Sequence, residues 1–347
     1  MSSFKPGFLE SQPITHGLLA TVGVLREFKG REQLYREQTP QALETLRQAA
    51  IIQSTESSNR IEGITAPLPR LKALIADRAA PRNRSEGEIA GYRDVLNSIH
   101  ANHSAMEPTP GLVLRLHRDL YRYLASEGGR WKPVDNEISE ILPNGTRLQR
   151  FRTVPAYLTP PAMETLHQQF SRLWQEEQIE RLLLIPAYVL DFLCIHPFLD
   201  GNGRLARLLT LLLLYRAGFE VGRYISLERV IEGSKEAYYD PLRRSSEGWH
   251  QGEHSMLPWT EYLLGTLVAA YREFEERVGL LRGARGGKTE LVLDVLGSLS
   301  GEFSVRQLQE RCPQVSLDLI RQVLRRERQA GRLVCLGRGP EARWRRI

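Results

Sequence analysis

One short segment of the sequence, residues 196–207, brings together a titratable imidazole, a carboxylate and two guanidinium groups. It reads His-Pro-Phe-Leu-Asp-Gly-Asn-Gly-Arg-Leu-Ala-Arg. An imidazole with an ordinary pKa of about 6.5 can accept a proton from a hydroxyl at neutral pH, so His196 is a candidate general base. A carboxylate supplies the hard oxygen ligands that Mg²⁺ prefers, so Asp200 is a candidate metal ligand.

Two helices joined by a tight turn are expected to position these groups. Pro197 ends the first helix, because its ring removes a backbone donor. Gly201 and Gly203 permit a left-handed turn and a close approach of the backbone to a ligand. The second helix is predicted to begin near Arg204, and its N-terminal amides would form an anion site. Arg204 and Arg207 are three residues apart and share a helix face, so the segment indicates a polyphosphate site.

The segment resembles the signature of Fic-domain proteins, His-x-Phe-x-Asp/Glu-Gly-Asn-Gly-Arg-x-x-Arg, at every fixed position. The resemblance implies a protein adenylyltransferase that transfers AMP from ATP to a Tyr, Thr or Ser hydroxyl of a protein. It implies His196 as the base and Asp200 as the ligand of Mg²⁺. It also implies nucleotide contacts from Gly201, Asn202, Gly203, Arg204 and Arg207. Fic relatives that act as kinases carry lysine at the second glycine, so Gly203 favours nucleotidyl transfer.

A second motif lies far upstream, where Ser58 and Glu62 are four residues apart and precede Gly63. From the residues alone this is a short helix that ends at a glycine, with a solvated glutamate. Beside the first motif it resembles the inhibitory Ser/Thr-x-x-x-Glu-Gly/Asn sequence of Fic proteins of the N-terminal inhibitory class. The resemblance implies that Glu62 autoinhibits the enzyme, and we expect it to do so by pairing with Arg207.

Two other regions are assigned partly by resemblance. Alternating residues and an Asn144–Gly145 turn between residues 128 and 161 predict a small β-hairpin. In Fic proteins this region holds a flap that aligns the target side chain, here about residues 145–155. Tyr238 and Tyr239 resemble a Tyr-Tyr pair that walls the nucleotide, and two tyrosines at the edge of the core remain the alternative.

The fold class expected is mainly α, an all-helical Fic core with a small β-hairpin flap and a C-terminal winged helix domain. We divide the chain into an N-terminal helical region with the inhibitory motif (1–110), the Fic catalytic core (111–280), a glycine-rich linker (281–287) and a winged helix–turn–helix (288–347). The winged helix rests on three helical patterns followed by a hairpin with a glycine-rich tip.

Positive charge is concentrated in the C-terminal part of the chain. Residues 281–347 carry 14 Lys and Arg against 7 Asp and Glu, whereas the rest is nearly neutral within a total of +6. The third helix of the predicted winged helix contains Arg321, Arg325, Arg326 and Arg328, where such domains contact DNA. Two alternatives stay open: binding of DNA through residues 288–347, and a protein-contact or homodimer surface with solvated arginines.

Composition is that of an ordinary soluble globular protein, with 41% hydrophobic and 25% charged residues. No signal peptide or membrane span is expected, and three widely spaced cysteines match no disulfide or metal pattern, which indicates the cytoplasm. Other functions remain open: a DNA-binding regulator whose Fic core senses nucleotide, and a Fic enzyme that removes AMP or uses another donor. An intact His196 argues against a pure sensor. The identity of the target protein, for which the chain itself is one candidate, and of its hydroxyl are left open.

Overall fold

The computed structural model describes residues 2–38, 40–141, 146–283, 287–299, 301–312, 315–337, 339 and 342–346. Its secondary structure is mainly α-helical, as the sequence predicts. The helices of the described residues are α1 (Phe8–Ser11), α2 (His16–Gln38), α3 (Pro40–Ile61), α4 (Leu68–Ile75), α5 (Arg84–Asn102), α6 (Pro110–Leu120), α7 (Thr159–Glu176), α8 (Arg181–Ile195), α9 (Asn202–Arg216), α10 (Leu227–Glu232), α11 (Lys235–Ser246), α12 (Leu257–Gly283), α13 (Gly287–Ser298), α14 (Val305–Arg311) and α15 (Leu317–Gln329).

The strands of the described residues form two small antiparallel sheets. β1 (Glu137–Ile141) pairs with β2 (Arg147–Arg152), which confirms the predicted hairpin. Its predicted Asn144–Gly145 turn lies outside the described residues. β3 (Glu302–Ser304), β4 (Leu333–Leu336) and β5 (Arg343–Arg346) form the second sheet, in which β5 lies between the other two. The sequence predicts the hairpin of β4 and β5 and misses β3, which is three residues long.

The chain divides into two compact units, one of residues 1–31 and 49–271 and the other of residues 32–48 and 272–347. The first unit is built around α8 and α9, whose apolar side chains are almost completely buried. Both helices read as nearly continuous apolar runs, since they are covered on all sides. The core therefore holds in place the polar segment that joins the end of α8 to the start of α9.

The second unit has its own core, formed by α13, α14, α15 and the three-stranded sheet. Phe303, Leu308, Ile320, Leu324 and the central-strand Trp344 are among its buried residues. Ser304 caps α14 with a reciprocal capping box, and Ser316 caps α15. These caps explain why the two helices begin where they do.

The predicted linker at residues 281–287 differs from what is observed. α12 continues through residues 281–283, and α13 already begins at Gly287, while residues 284–286 lie outside the described residues. One glycine within a helix costs only about 1 kcal/mol, which an amphipathic helix of 27 residues tolerates. Glycine content alone therefore predicts a longer non-helical linker between α12 and α13 than the structure contains.

Proline favours the first turn of a helix, yet Pro186 lies in the interior of α8. The helix begins at Arg181, where the Glu180 carboxylate accepts a hydrogen bond from the Leu182 amide, and it includes Pro186. Burial on every side outweighs the roughly 3 kcal/mol that an internal proline costs. In the part of the chain that the structure describes, no helix combines the length and hydrophobicity that a bilayer crossing requires.

Candidate active site

The predicted helix–turn–helix corner is present and holds His196 in an uncommon backbone conformation. α8 ends at Ile195, and His196 has φ 52° and ψ 61°, in the left-handed region. Gly201 has φ 82° and precedes α9. A left-handed histidine is unfavourable locally, so surrounding contacts must hold it. The His196 side chain therefore leaves the backbone in a different direction from that of a helical residue at the end of α8.

Asn202 braces this turn from within. Its side-chain oxygen accepts a hydrogen bond from the Phe198 amide at 3.0 Å, and its side-chain nitrogen donates to the Phe198 carbonyl at 2.7 Å. Asn202 is buried, and both ends of its amide are occupied. The nucleotide contact of Asn202 that the sequence predicts stays a prediction.

His117, on α6, supports the turn from behind. Its ring stacks on Phe198 with centroids 3.7 Å apart and planes inclined by 2°. One ring nitrogen lies 3.1 Å from the Asp200 carbonyl oxygen, and the other accepts a hydrogen bond from the Gly129 amide at 2.8 Å. Burial lowers the pKa of His117 to about 4, so the ring is neutral at pH 7. His117 thus fixes the segment between His196 and Asp200.

The environment of His196 suits a general base. Its Nδ1 lies 3.2 Å from the Leu193 carbonyl oxygen, which can only accept, so Nδ1 carries the proton and Nε2 keeps its lone pair. Burial, together with the positive charge of Lys132, lowers the pKa of His196 to about 4. The imidazole is therefore neutral at pH 7, which is the form that can accept a proton.

Asp200 is half-exposed and lies between two cations. Its carboxylate pairs with Arg84 at 3.0 Å and with Arg204 at 3.4 Å, and it accepts a hydrogen bond from the Gly201 amide at 2.6 Å. Partial burial opposes ionisation, but Arg204 and the Gly201 amide still lower the pKa of Asp200 below its ordinary value. An ionised, accessible carboxylate fits Mg²⁺, which usually takes only one or two protein carboxylates beside substrate phosphates.

The two motif arginines are both buried but have different partners. Arg204 pairs with Glu88 at 2.7 Å, and its guanidinium lies 5.8 Å from the centre of the Tyr121 ring. This guanidinium holds Asp200 and the turn, and its predicted contact with phosphate stays a prediction. Arg207 instead contacts α3 and the residue that follows it. Its Nε donates to Ser58 Oγ at 2.8 Å, and its Nη2 donates to Ser58 O at 2.9 Å.

Arg207 also forms the predicted ion pair with Glu62, with Nη2 2.8 Å from Oε1. The Arg207 side chain is 4% exposed and that of Glu62 is 32% exposed. The same carboxylate oxygen lies over Gly203, at a place that a Cβ of residue 203 would overlap. Glu62 therefore places a negative charge at the N-terminal end of α9, where free amides and the helix dipole attract an anion.

Tyr238 and Tyr239 differ in exposure. The sequence predicts for them either a contact with the nucleotide or a place at the edge of the core. Tyr238 is 4% exposed and packs edge-on against Trp259, with centroids 5.8 Å apart. Tyr239 is 46% exposed, and its ring centre lies 5.1 Å from that of Tyr238. Tyr239 is thus open to a ligand, whereas Tyr238 supports it from the core. Their contact with a nucleotide remains a prediction.

Several residues of this site have no local sequence signal. Glu88 lies 116 positions before its partner Arg204, and no motif joins them. Lys132 and Asn136 follow a Gly-Gly-Arg-Trp run that is typical of a solvated loop, yet both bond to the backbone of residues 195–198. In the described residues no cluster of three or more His, Cys, Asp or Glu could hold a metal ion by itself.

Residues 107–214 match the pattern of the Fic/DOC family. The chain carries a Fic/DOC domain. This domain contains the whole corner from His196 to Arg207, whereas Glu62 lies before its first residue. The match was expected from the motif, and the structure adds the contacts that hold the motif in place.

Curated relatives of the Fic domain are distant. The protein adenylyltransferase Fic of Drosophila erecta is 28% identical over 215 residues, which is 60% of this chain and 39% of that protein. The protein adenylyltransferase Fic of Nematostella vectensis is 27% identical over 184 residues, 49% of this chain and 39% of that protein. The chain thus spans about two fifths of the length of these relatives.

Solved structures share the fold. A Fic family protein from Desulfovibrio desulfuricans G20 is similar with a TM-score of 0.61 and 23% identity, over 96% of this chain and 97% of that chain. A Fic domain containing signaling protein from Bacteroides thetaiotaomicron VPI-5482 has a TM-score of 0.61 and 19% identity, over 72% of this chain and 94% of that chain.

Proposed function

We propose that the protein is an adenylyltransferase that transfers AMP from ATP to a hydroxyl of a protein and is slowed by Glu62. The observation that carries the proposal is the neutral His196, with Nε2 free, at the end of α8, followed by Asp200 and by the anion site at the start of α9. In a Fic domain these groups can act as the general base, the metal ligand and the polyphosphate site, respectively.

The chemistry follows from these positions. The target hydroxyl oxygen attacks the α-phosphorus of ATP and gives its proton to His196 Nε2. The bond from the α-phosphorus to the β-phosphate oxygen breaks, and pyrophosphate leaves. Asp200 would hold Mg²⁺ on the phosphates, where the ion neutralises negative charge. The first amides of α9 and Arg207 bind the remaining phosphate oxygens, so catalysis requires mainly positioning and charge stabilisation.

Labelling tests this proposal. Purified Glu62→Gly protein is incubated with Mg²⁺ and ATP that is labelled either at the α- or at the γ-phosphate, and protein-bound label and pyrophosphate are measured. Adenylyl transfer gives protein label from α-labelled ATP only, with one pyrophosphate per AMP. Label from the γ-phosphate would indicate a kinase, and no label from either would contradict the proposal. Loss of label on later incubation without ATP would indicate AMP removal, for which the same groups suffice.

We propose DNA binding as a second function, carried by an arginine face on the C-terminal unit. Arg321, Arg325 and Arg328 recur at helical spacing on α15 and are exposed, beside a buried stripe that includes Ile320 and Leu324. Arg343 and Arg345 are also exposed, on the strand whose Trp344 enters the core. The order of helices and strands supports a winged helix–turn–helix, whose third helix enters the major groove.

The salt dependence of binding tests this second function. Fluorescence anisotropy with a mixed-sequence duplex should give an association constant whose logarithm falls linearly with the logarithm of salt concentration. Arg325→Ala should reduce the magnitude of this slope by about 0.9, the value for one lost phosphate contact. Arg172→Ala, which removes an exposed arginine of α7, is the matched control. Salt-independent or absent binding would favour a protein-contact surface.

A further inference from the structure

Lys132 is a buried lysine with no role in the predicted motifs. The residue is 3% exposed, and its ammonium donates three hydrogen bonds. The acceptors are Asn136 Oδ1 at 2.7 Å, Thr153 Oγ1 at 3.0 Å and the Ile195 carbonyl oxygen at 3.0 Å. An ammonium has three donors, so each one is satisfied. Such complete pairing of a buried cation is typical of a group that fixes a structure.

The three acceptors belong to two parts of the site. Asn136 directly precedes β1 and Thr153 directly follows β2, so both lie at the base of the hairpin. Ile195 is the last residue of α8 and directly precedes His196. Lys132 therefore joins the base of the hairpin to the helix end that carries the candidate base.

Backbone contacts of the same segment strengthen this junction. The Lys132 amide donates to the Pro197 carbonyl oxygen at 2.8 Å, and Asn136 Nδ2 donates to the Phe198 carbonyl oxygen at 2.8 Å. The carbonyls of residues 195, 197 and 198 are thus all held from the hairpin side. These residues flank His196, whose left-handed conformation needs such support.

The charge of Lys132 also suits its place. Carbonyls at the C-terminal end of a helix carry the negative end of the helix dipole, where a cation is stabilising. Burial lowers the pKa of Lys132 to about 8, and the Asp135 carboxylate partly counteracts this, so the ammonium form predominates at pH 7. The same charge contributes to the low pKa of His196.

We propose that Lys132 is a positioning residue for the transfer reaction, which ties the C-terminal end of α8 to the base of the hairpin and so keeps His196 in its productive conformation. The inference rests on the proposed adenylyltransferase function for its kinetic consequence. Its structural consequence, an altered His196 environment when the ammonium is removed, does not depend on that function.

Lys132→Met tests the proposal, because methionine keeps most of the apolar stem and removes the ammonium. In the Glu62→Gly protein we expect kcat for label transfer to fall about ten- to hundredfold, since small displacements of a catalytic group have effects of this size. The dissociation constant of MgATP should stay nearly unchanged, because the phosphates bind elsewhere. Histidine NMR, with the signal assigned by His196→Ala, should show a higher His196 pKa.

Two further variants complete the test. Lys5→Met removes an exposed lysine whose ammonium lies 3.4 Å from the Gln251 carbonyl oxygen, and it should change neither kcat nor the His196 pKa. Thr153→Val removes one acceptor of the Lys132 ammonium with little change of shape, and it should lower kcat less than Lys132→Met. Thr153→Val is the test that remains if Lys132→Met does not fold.

The outcomes separate the two proposals. An unchanged kcat and an unchanged His196 pKa in folded Lys132→Met, or an unchanged kcat in Thr153→Val, would overturn the positioning role. If no variant transfers label, Glu62→Gly included, the proposed function fails. A raised His196 pKa in Lys132→Met would still support the junction in that case.

Discussion

Replacing Glu62 by glycine should activate the protein, and the contacts of Arg207 allow the size of the effect to be worked out. Arg207 donates to Glu62 Oε1 at 2.8 Å and also makes two bonds to Ser58. Of these partners only Glu62 carries a negative charge that competes with a phosphate. Its removal leaves the Ser58 contacts in place, so the guanidinium keeps its position while it becomes available to ATP.

A hydrogen bond between charged groups contributes about 1.5–3 kcal/mol. Glu62 is 32% exposed, so solvent screening reduces this contribution to about 1–2 kcal/mol. That free energy corresponds to a factor of about 5–30. We therefore expect Glu62→Gly to label itself or a target about 5–30 times faster than the wild-type protein. The free energy of unfolding should fall by only about 1 kcal/mol, because one partly exposed contact is lost.

The assay compares initial rates of label transfer from α-labelled ATP at a concentration below saturation. Glu62→Gln keeps the shape and one acceptor but removes the charge, so its rate should lie between those of the wild type and Glu62→Gly. Glu56→Gln is the matched control, because Glu56 lies near the end of α3, shortly before Glu62, and pairs instead with Arg60. Equal rates for the wild type and Glu62→Gly would refute the inhibitory role of the pair.

Further predictions concern the base, the anion site and the buried histidines. In the Glu62→Gly protein, His196→Ala should lower label transfer by about 10²–10⁴-fold while MgATP still binds, as equilibrium dialysis would show. In the same background, Gly203→Ala should weaken MgATP binding, because its Cβ would occupy the place of the Glu62 carboxylate oxygen at the start of α9, where a phosphate oxygen is expected to bind; unchanged affinity would contradict the anion site. Burial lowers the pKa of His167 to about 4, so below about pH 6.5 the unfolded state binds more protons and stability falls as pH decreases toward 4. Urea titrations should show His167→Gln losing about 1–2 kcal/mol less between pH 7 and pH 5 than the wild type. Equal losses in the wild type and in His167→Gln would refute the assignment.

Local patterns predicted the parts of the site that lie within one stretch of sequence. Pro197 and the glycines at 201 and 203 indicate the corner, because each restricts or frees the backbone at its own position. The pair of Glu62 and Arg207 spans 145 positions and was predicted only because two motifs were read together. For the fold, α12 extends past the predicted start of the linker, because packing outweighs the cost of glycine within a helix.

Other contacts could not be predicted because the sequence contains no pattern that joins the partners. Glu88 looks like a solvated residue of α5 until α9 places Arg204 against it. Lys132 looks like a loop lysine until the hairpin and the end of α8 surround its ammonium. In both cases tertiary packing decides whether a charged side chain is solvated or buried. Charged residues are rarely buried in the protein interior, so the sequence does not indicate that such a residue has a buried partner, and only the structure identifies that partner.

The position of Glu62 just beyond the last turn of α3 has a consequence for how its ion pair with Arg207 opens. Ser54 and Ser58 hold the body of the helix through Glu228 and Arg207, whereas the backbone at Glu62 and Gly63 is held by bonds to the Asn59 and Arg60 carbonyls. Helix ends open locally at much lower free energy than a docked helix. Release of Glu62 therefore requires the fraying of one turn and leaves α3 in place. Amide hydrogen exchange should be faster at residues 62–64 than at residues 54–58, and under the proposed inhibition Arg207 would become available to ATP in brief local openings of the native state.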